Sequence, residues 1–352
     1  MRLAINIARQ ARPLLICLAL HGCTTIPYEP DQEMPPVTTA EPEQQQPGTL
    51  AETPPPDPAP ERATEPAPPV APPIMPPSLT VIVSNDIPAY TGVADEITRL
   101  AGEQLNAIYS LRGGTADAAE VMADIEESGS ETLVAIGLLA AEAAREYSDV
   151  PVVFCQIFNH AEHELLARGA RGVELLPPFS MQLAAWKQLS PELDRVGVIT
   201  GPGHGEMIAR ATRSARAAGV ELVSRVVDSD KEALYVFKRL VPNIDGFWLL
   251  PDNRILSPRV IRELMDYGRK HDKQILAFSP TLLEWGAVMS VTSIDEDVAS
   301  QVLHLVGAGL PPDVDEASQL VPLTKMQVEI NEALAEKLGL NVPTPRVMAR
   351  AE

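Results

Sequence analysis

The sequence predicts an α/β fold made of two similar lobes that lie side by side. From residue 79 on, short apolar runs alternate with amphipathic stretches of about 10–15 residues, which is the succession expected of βαβ units and parallel sheets. The alternation restarts near Asp194 after a first series of such units. Residues 79–352 number 274, which is enough chain for two lobes with their own cores.

The strands are predicted where β-branched and apolar residues form a run that ends in glycine, proline or a polar residue. These runs are 79–83, 132–136, 150–157, 195–200, 221–227, 247–250 and 274–278. The helices are predicted between the runs, near 91–105, 138–147, 205–218, 231–240 and 258–271.

The turn after Phe247–Pro251 is notable because a run that includes Trp248 stops abruptly at Asp252 and Asn253. Open parallel sheets bind ligands at the carboxyl ends of their strands, so Asp252 is the first candidate for a ligand contact. The alternative is that Asp252 only caps the helix that follows Ser257.

The first 22 residues are predicted to be an export signal. Arg2, Arg9 and Arg12 precede the apolar run 14–20, which is far shorter than the ~20 residues of a spanning helix. Residues 20–23, Leu-His-Gly-Cys, resemble a bacterial lipobox, and the resemblance implies that Cys23 becomes the lipidated N-terminus. Thr24 favours sorting to the outer membrane where the host has two membranes. The alternative is an ordinary cleaved signal followed by an incidental cysteine.

Residues 23–78 are predicted to be a disordered tether that begins at the lipidated cysteine. From residue 24 on, this segment holds 18 of the 34 prolines, and nine acidic residues stand against one arginine. Such a chain extends by ~3 Å per residue and could span on the order of 100 Å. A passive insert would have the same composition.

The charge is strongly acidic and unevenly distributed. Of the net −20, the signal contributes +3 and the tether −8, which leaves −15 for residues 79–352. This balance argues against nucleic acid as a partner and against a domain that lies flat on anionic lipid. Once Cys17 leaves with the signal and Cys23 carries lipid, Cys155 stands alone within an apolar run, which favours a buried core thiol over a nucleophile.

Several segments resemble, in order and spacing, the substrate-binding proteins of ABC importers of the tryptophan/tyrosine-binding type. The resemblance spans nearly all of 79–343 and runs through 134–144, 149–154, 193–199, 245–253, 273–277, 286–288 and 328–343. After Gly172 the chain departs from the family, because Val-Glu-Leu-Leu-Pro-Pro stands where Val-Ser or Val-Thr with an aspartate is usual.

The resemblance implies a type I periplasmic-binding-protein fold, in which two Rossmann-like lobes with parallel sheets are joined by a hinge and hold a ligand between them. It places the first lobe at about 79–193 plus 287–320 and the second at about 194–286 plus part of 321–343, with a disordered tail at 344–352. The implied function is capture of a small, amino-acid-like ligand by a lipid-anchored protein of an import system, with an ABC permease or another envelope protein as partner. A sensor or scaffold that keeps this fold but acts through protein contacts is the alternative.

The candidate ligand contacts are the strand-to-helix turns that would face the cleft, where free backbone N–H groups can bind an anion. These residues are Ser84, Asn85, Tyr90, Gly137, Gln156, Phe158, Thr200, Gly201, Asp252, Asn253 and Ser279. Asp252 is expected to pair with an ammonium group, while Ser84, Thr200 or the glycine turn takes a carboxylate. Tyr90, Phe158 and Phe179 are expected to form an apolar wall, with ordinary core packing as the alternative for each. Turn chemistry is the alternative for Ser84 and Asn85.

The sequence favours a binding protein over an enzyme and predicts no cofactor. Glu206 stands where a dinucleotide turn would need its third glycine, and no Gly-x-Ser-x-Gly or Walker pattern occurs. His160 and His163 are three residues apart, but surface exposure is expected for them rather than a metal site.

Overall fold

The computed structural model describes residues 77–112, 114, 118–167, 169–307, 319–342 and 347–349. The predicted signal, Cys23 and all but the end of the predicted tether lie outside these residues. Among the described residues, no helix is long and apolar enough to cross a membrane.

Two sheets with helices on both faces form two lobes, which confirms the predicted α/β fold class. The strands are β1 Leu79–Val83, β2 Leu105–Ser110, β3 Thr132–Ile136, β4 Val152–Cys155, β5 Arg171–Val173, β6 Arg195–Thr200, β7 Glu221–Val226, β8 Gly246–Trp248, β9 Gln274–Ala277, β10 Met289–Thr292, β11 Leu320–Val321, β12 Lys325–Ile330 and β13 Val347–Ala349. The helices are α1 Pro88–Ala101, α2 Ala118–Glu127, α3 Leu138–Tyr147, α4 Phe179–Leu189, α5 Gly205–Ala217, α6 Asp230–Leu240, α7 Pro258–Lys270, α8 Asp295–Gly307 and α9 Glu332–Lys337.

The first lobe is built on a six-stranded sheet in the order β11-β5-β4-β3-β1-β2, and the second on a seven-stranded sheet in the order β13-β12-β10-β9-β8-β6-β7. The pairings within the first sheet are parallel, as the predicted βαβ units require. In the second sheet, β12 pairs antiparallel with both β10 and β13, so this sheet is mixed. Strand β13 lies within the segment predicted to be a disordered tail, because the free edge of β12 offers it backbone partners.

The lobe membership of two elements differs from the predicted boundaries. Helix α4 buries Leu183, Trp186 and Leu189 in the core of the second lobe, and β10 pairs with β9 of the second sheet. The sequence-based boundaries had placed both elements in the first lobe. Apolar helix faces are compatible with either core, so only the packing assigns them.

Three chain segments cross between the lobes, after β5, after β10 and after β11. Asp297 of α8, whose side chain is buried, ties two of these crossings together. Its carboxylate accepts hydrogen bonds from the backbone N–H groups of Thr324 at 2.7 Å and Lys325 at 2.9 Å, and from the Thr324 hydroxyl at 2.5 Å. A buried carboxylate with several N–H donors is held firmly, so the crossings have a fixed geometry on the first-lobe side.

Candidate functional site

The carboxyl edge of the first sheet brings together Ser84, Tyr90 and Gly137, three of the predicted site residues. Gly137 has φ +86°, and a Cβ on it would lie 2.7 Å from the Ser84 Oγ and 2.8 Å from the Tyr90 ring. Only glycine therefore allows this close approach. The Ser84 Oγ accepts a hydrogen bond from the Ala140 N–H at 3.0 Å, so the serine holds the start of α3.

The side chains near Ser84 and Gly137 are more buried than those of a solvent-exposed turn. Burial, together with the neighbouring Cys155, raises the pKa of the Tyr90 hydroxyl. Burial likewise raises the pKa of the Cys155 thiol far above its usual range, and Cys155 is fully buried at the end of β4. The thiol is therefore a core group at neutral pH, as the apolar run around it predicted.

The carboxyl edge of the second sheet holds a compact polar network around Asp252, whose side chain is only 1% exposed. One carboxylate oxygen accepts from the Gly201 N–H at 2.8 Å and from the Arg254 Nη2 at 3.0 Å, while the other accepts from the Arg254 Nε at 3.0 Å. The guanidinium is thus bound at two points by its own lobe. In this arrangement the carboxylate that was expected to pair with a ligand ammonium already has a cation.

His204 and Gly201 shape the space around this guanidinium. The Nε2 of His204 lies 2.6 Å from the Arg254 Nη2 and 3.3 Å from an Asp252 oxygen, so the imidazole contacts both members of the ion pair. The Pro202 carbonyl accepts from the same Nη2 at 3.0 Å. A Cβ at Gly201 would lie 3.0 Å from Nη2 and 3.1 Å from an Asp252 oxygen, so the missing side chain leaves room for the ion pair.

Opposing effects act on the ionisation of Asp252. Burial by itself raises the pKa of this carboxyl, but hydrogen bonds from His204, Arg254 and the Gly201 N–H together lower it well below its usual range. Asp252 is therefore ionised at neutral pH. The helix-cap alternative is wrong, since the N-cap of α7 is Ser257, whose side chain accepts from the Val260 N–H at 3.3 Å.

Two ion pairs join the lobes across the cleft. The Arg254 Nη1 of the second lobe donates to Glu162 of the first lobe at 2.6 Å. Arg210 of α5 pairs with Glu174, the residue that follows β5. Glu174 belongs to the Val-Glu-Leu-Leu-Pro-Pro stretch that begins at Val173, so this stretch supplies one partner of an interlobe pair.

A cavity of about 620 Å³ lies between the lobes beside these pairs. Its first-lobe wall comes from the segment after β4, and its second-lobe wall comes from the turn before α5 and the first turns of α5. The lining residues are Ile157, Phe158, His160, Ala161, Glu164, Leu166, Ala167, Glu174, Leu175, Leu176, Phe179, Gly203, His204, Glu206, Met207, Arg210 and Leu320. The volume is in the range of small-molecule sites, which is about 300–1,000 Å³.

The predicted aromatic wall is present in part. Phe158 and Phe179 both line the cavity, and the Phe158 ring packs on His204 with ring centroids 4.6 Å apart. Phe179 meets Trp248 edge-on at 5.3 Å. Tyr90 lies against Gly137 and is not among the lining residues.

The remaining predicted site residues are spread along the strand ends and do not line the cavity. Asn85 accepts from the Ile87 N–H at 3.3 Å and so forms a turn, while Ser279 pairs with Thr281 at 2.9 Å. Gln156 adopts φ +60°, Thr200 is buried, and Asn253 is exposed.

Sequence reasoning missed Arg254, His204, Glu162, Glu174 and Arg210. A signal existed for Arg254, which is the only cation between residues 241 and 258, two positions after Asp252. Each of the other residues pairs with a residue at least 36 positions away in the chain, and such pairs leave no local pattern. His160 and His163 also differ from the expected surface exposure, because His163 binds Glu142 at 2.8 Å and His160 packs on Phe154.

Comparison with known proteins identifies a family that has this architecture. The family described as "ABC transporter substrate binding protein" matches residues 81–352. No curated protein is matched by the sequence.

Similar solved structures share the fold at low identity. They include a conserved domain protein from Vibrio cholerae O1 biovar eltor (19% identity, TM-score 0.52, covering 76% of this chain and 96% of that one). A Streptococcus pneumoniae ABC domain in complex with L-Trp is 18% identical, with TM-score 0.53 and coverages of 76% and 96%. The ligand-free, open structure of a substrate binding protein with adhesive properties from Clostridium difficile is 13% identical, with TM-score 0.58 and coverages of 78% and 99%.

The family match extends over most of the chain and includes both lobes, the crossings and the cavity. It confirms the resemblance on which the sequence-based expectations rest. The chain belongs to the ABC transporter substrate binding protein family.

Proposed function

We propose that this chain is the extracytoplasmic, lipid-anchored solute-binding component of an ABC-type import system and that it binds a small ligand between its lobes. The observation that carries the proposal is the cavity of about 620 Å³, whose walls come from both lobes. A ligand in such a place contacts both lobes at once and so favours the conformation in which they approach. The two interlobe ion pairs act in the same direction.

A ligand screen by thermal unfolding tests the proposal on the full-length protein in detergent. Amino acids, short peptides, purines and short acyl compounds form the panel. A compound at ~100 times its dissociation constant should stabilise the protein by roughly 2.7 kcal/mol, which gives a clear rise in melting temperature. Phe158→Ala should abolish that rise, measured against the variant's own melting temperature, because the ring forms part of the cavity wall.

The matched control is Tyr235→Ala, which removes an exposed aromatic ring of α6 and should leave the rise unchanged. If no compound shifts the melting temperature and cross-linking in cells captures an envelope protein, then the sensor or scaffold function replaces solute import.

The proposed anchor has its own test at Cys23. Cys23→Ser removes the thiol that would carry the lipid, so the variant should incorporate no radiolabelled palmitate and should leave the membrane fraction. Cys17→Ser is the control, since that cysteine lies within the predicted signal and should not affect labelling. Palmitate labelling of the Cys23 variant at the normal level would contradict the proposed anchor.

A further inference from the structure

The cavity between the lobes has an apolar body and an acidic rim. Phe158, Leu176, Phe179 and Met207 supply aromatic and aliphatic surface from both lobes. The ionisable lining residues are three glutamates, one arginine and two histidines. A ligand must therefore present apolar surface to most of the wall and must match the charge at the rim.

The sign of that charge is negative. Among the described residues of the lining, Arg210 is the only lysine or arginine, and it is already paired with Glu174. Burial lowers the pKa of His160, so this imidazole is uncharged at neutral pH and does not offset the glutamates.

Glu206 is the carboxylate best placed to meet a ligand. It lies in the first turn of α5, lines the cavity, and forms no hydrogen bond or ion pair with the described part of the chain. A carboxylate near a helix N-terminus is stabilised by the dipole of the helix, but the dipole supplies no counter-ion. A ligand cation would supply one.

Among the described residues, a ligand carboxylate finds no comparable partner. The nearby guanidinium of Arg254 is held by Asp252 and by Glu162, and an anionic ligand would have to displace one of them. The acidic rim would also repel it.

We propose that the cavity binds an organic monocation with an apolar body, such as an arylalkyl ammonium ion, with Glu206 as its counter-ion. This inference rests on the proposed function, since it names the class of ligand for the same cavity. The rings of Phe158 and Phe179 would contact the apolar body, while the ammonium group lies at the rim.

Three probes of similar shape test the charge: phenethylamine, 2-phenylethanol and 3-phenylpropionate. Isothermal titration calorimetry with the full-length protein should give the amine an affinity about tenfold higher than that of the alcohol, and no binding of the carboxylate. Glu206→Gln should lower the affinity for the amine by about the same factor and leave that for the alcohol unchanged. Glu103→Gln, an exposed glutamate of the first lobe, is the control and should change neither.

Any other ranking overturns the inference, including failure of the amine to bind at millimolar concentration. Failure of this inference can be distinguished from failure of the proposed function. If an anion or a neutral compound from the wider panel binds and Phe158→Ala abolishes its binding, then the solute-binding function stands and only the charge of the ligand is wrong. If nothing in the panel binds, both fail.

Discussion

Replacing Asp252 by asparagine is expected to lower the free energy of unfolding by about 3–5 kcal/mol, the usual cost of removing one partner of a buried ion pair. The substitution keeps the shape of the side chain but removes the charge that Arg254 and the Gly201 N–H bind. The guanidinium, whose side chain is 23% exposed, then loses its main counter-ion. Urea unfolding followed by circular dichroism measures the change.

Asp266→Asn is the matched control for Asp252→Asn. Asp266 pairs with Arg269 one helical turn away on α7, and its side chain is 60% exposed. Exposed pairs of this kind contribute less than about 0.5 kcal/mol. Equal effects of the two substitutions would contradict the structural role assigned to the network around Asp252.

The same network predicts how stability depends on acid pH. The pKa of Asp252 is lower in the folded protein than in the unfolded chain, where it is about 3.9. The stabilisation by Asp252 is therefore fully present above that value and is lost as the pH falls through the folded-state pKa. Asp252→Asn should remove this part of the loss below about pH 4, so that its stability falls less steeply with acid than that of the natural protein.

Removing both interlobe ion pairs is expected to shift the lobes toward a more open arrangement. Glu162→Gln and Glu174→Gln together replace the carboxylates that bind Arg254 and Arg210 across the cleft. At about 1 kcal/mol for each pair, the combined loss of about 2 kcal/mol changes the ratio of closed to open forms roughly 30-fold. Small-angle X-ray scattering should show a larger radius of gyration.

A second double variant separates this effect from a general loss of charge. Glu96→Gln and Glu221→Gln also remove two paired carboxylates, but Glu96 pairs with Arg99 of its own helix and Glu221 with Arg195 of its own sheet. This variant should scatter like the natural protein. The interlobe variant should also bind a ligand more weakly, in proportion to the smaller population of the closed form. An unchanged radius of gyration in the interlobe variant would show that the two pairs do not hold the lobes.

The network around Asp252 also alters the role that this residue is expected to have in ligand binding. The expectation from the sequence was a direct contact with an ammonium group, and the structure surrounds the carboxylate with groups of the protein itself. Asp252 therefore acts through Arg254, which it orients toward the first lobe.

Most of the elements could be predicted from the sequence because they are decided locally. Strands β3 and β6 match their predicted bounds, since a β-branched apolar run between breakers leaves few alternatives. Helix α3 also matches its predicted bounds, because its alanine-rich sequence favours a helix. Strand β2 was missed, because the helix predicted near 91–105 reaches only its first residue and no element was predicted over the rest of the strand. It lies at the edge of its sheet and alternates partly exposed with half-buried residues, so it lacks the continuous apolar run of the inner strands.

The sequence by itself determined the α/β succession, the restart near Asp194 and the apolar strand that ends at Asp252. Only the tertiary structure decided that α4 and β10 belong to the second lobe and that the Asp252 carboxylate is paired with Arg254. It also decided that Glu162 and Glu174 form ion pairs across the cleft. The physical reason is the distance along the chain between the residues that interact. Strand and helix formation depends on neighbours within a few residues, whereas Arg254 and Glu162 are 92 positions apart and meet only because the folded lobes place them together.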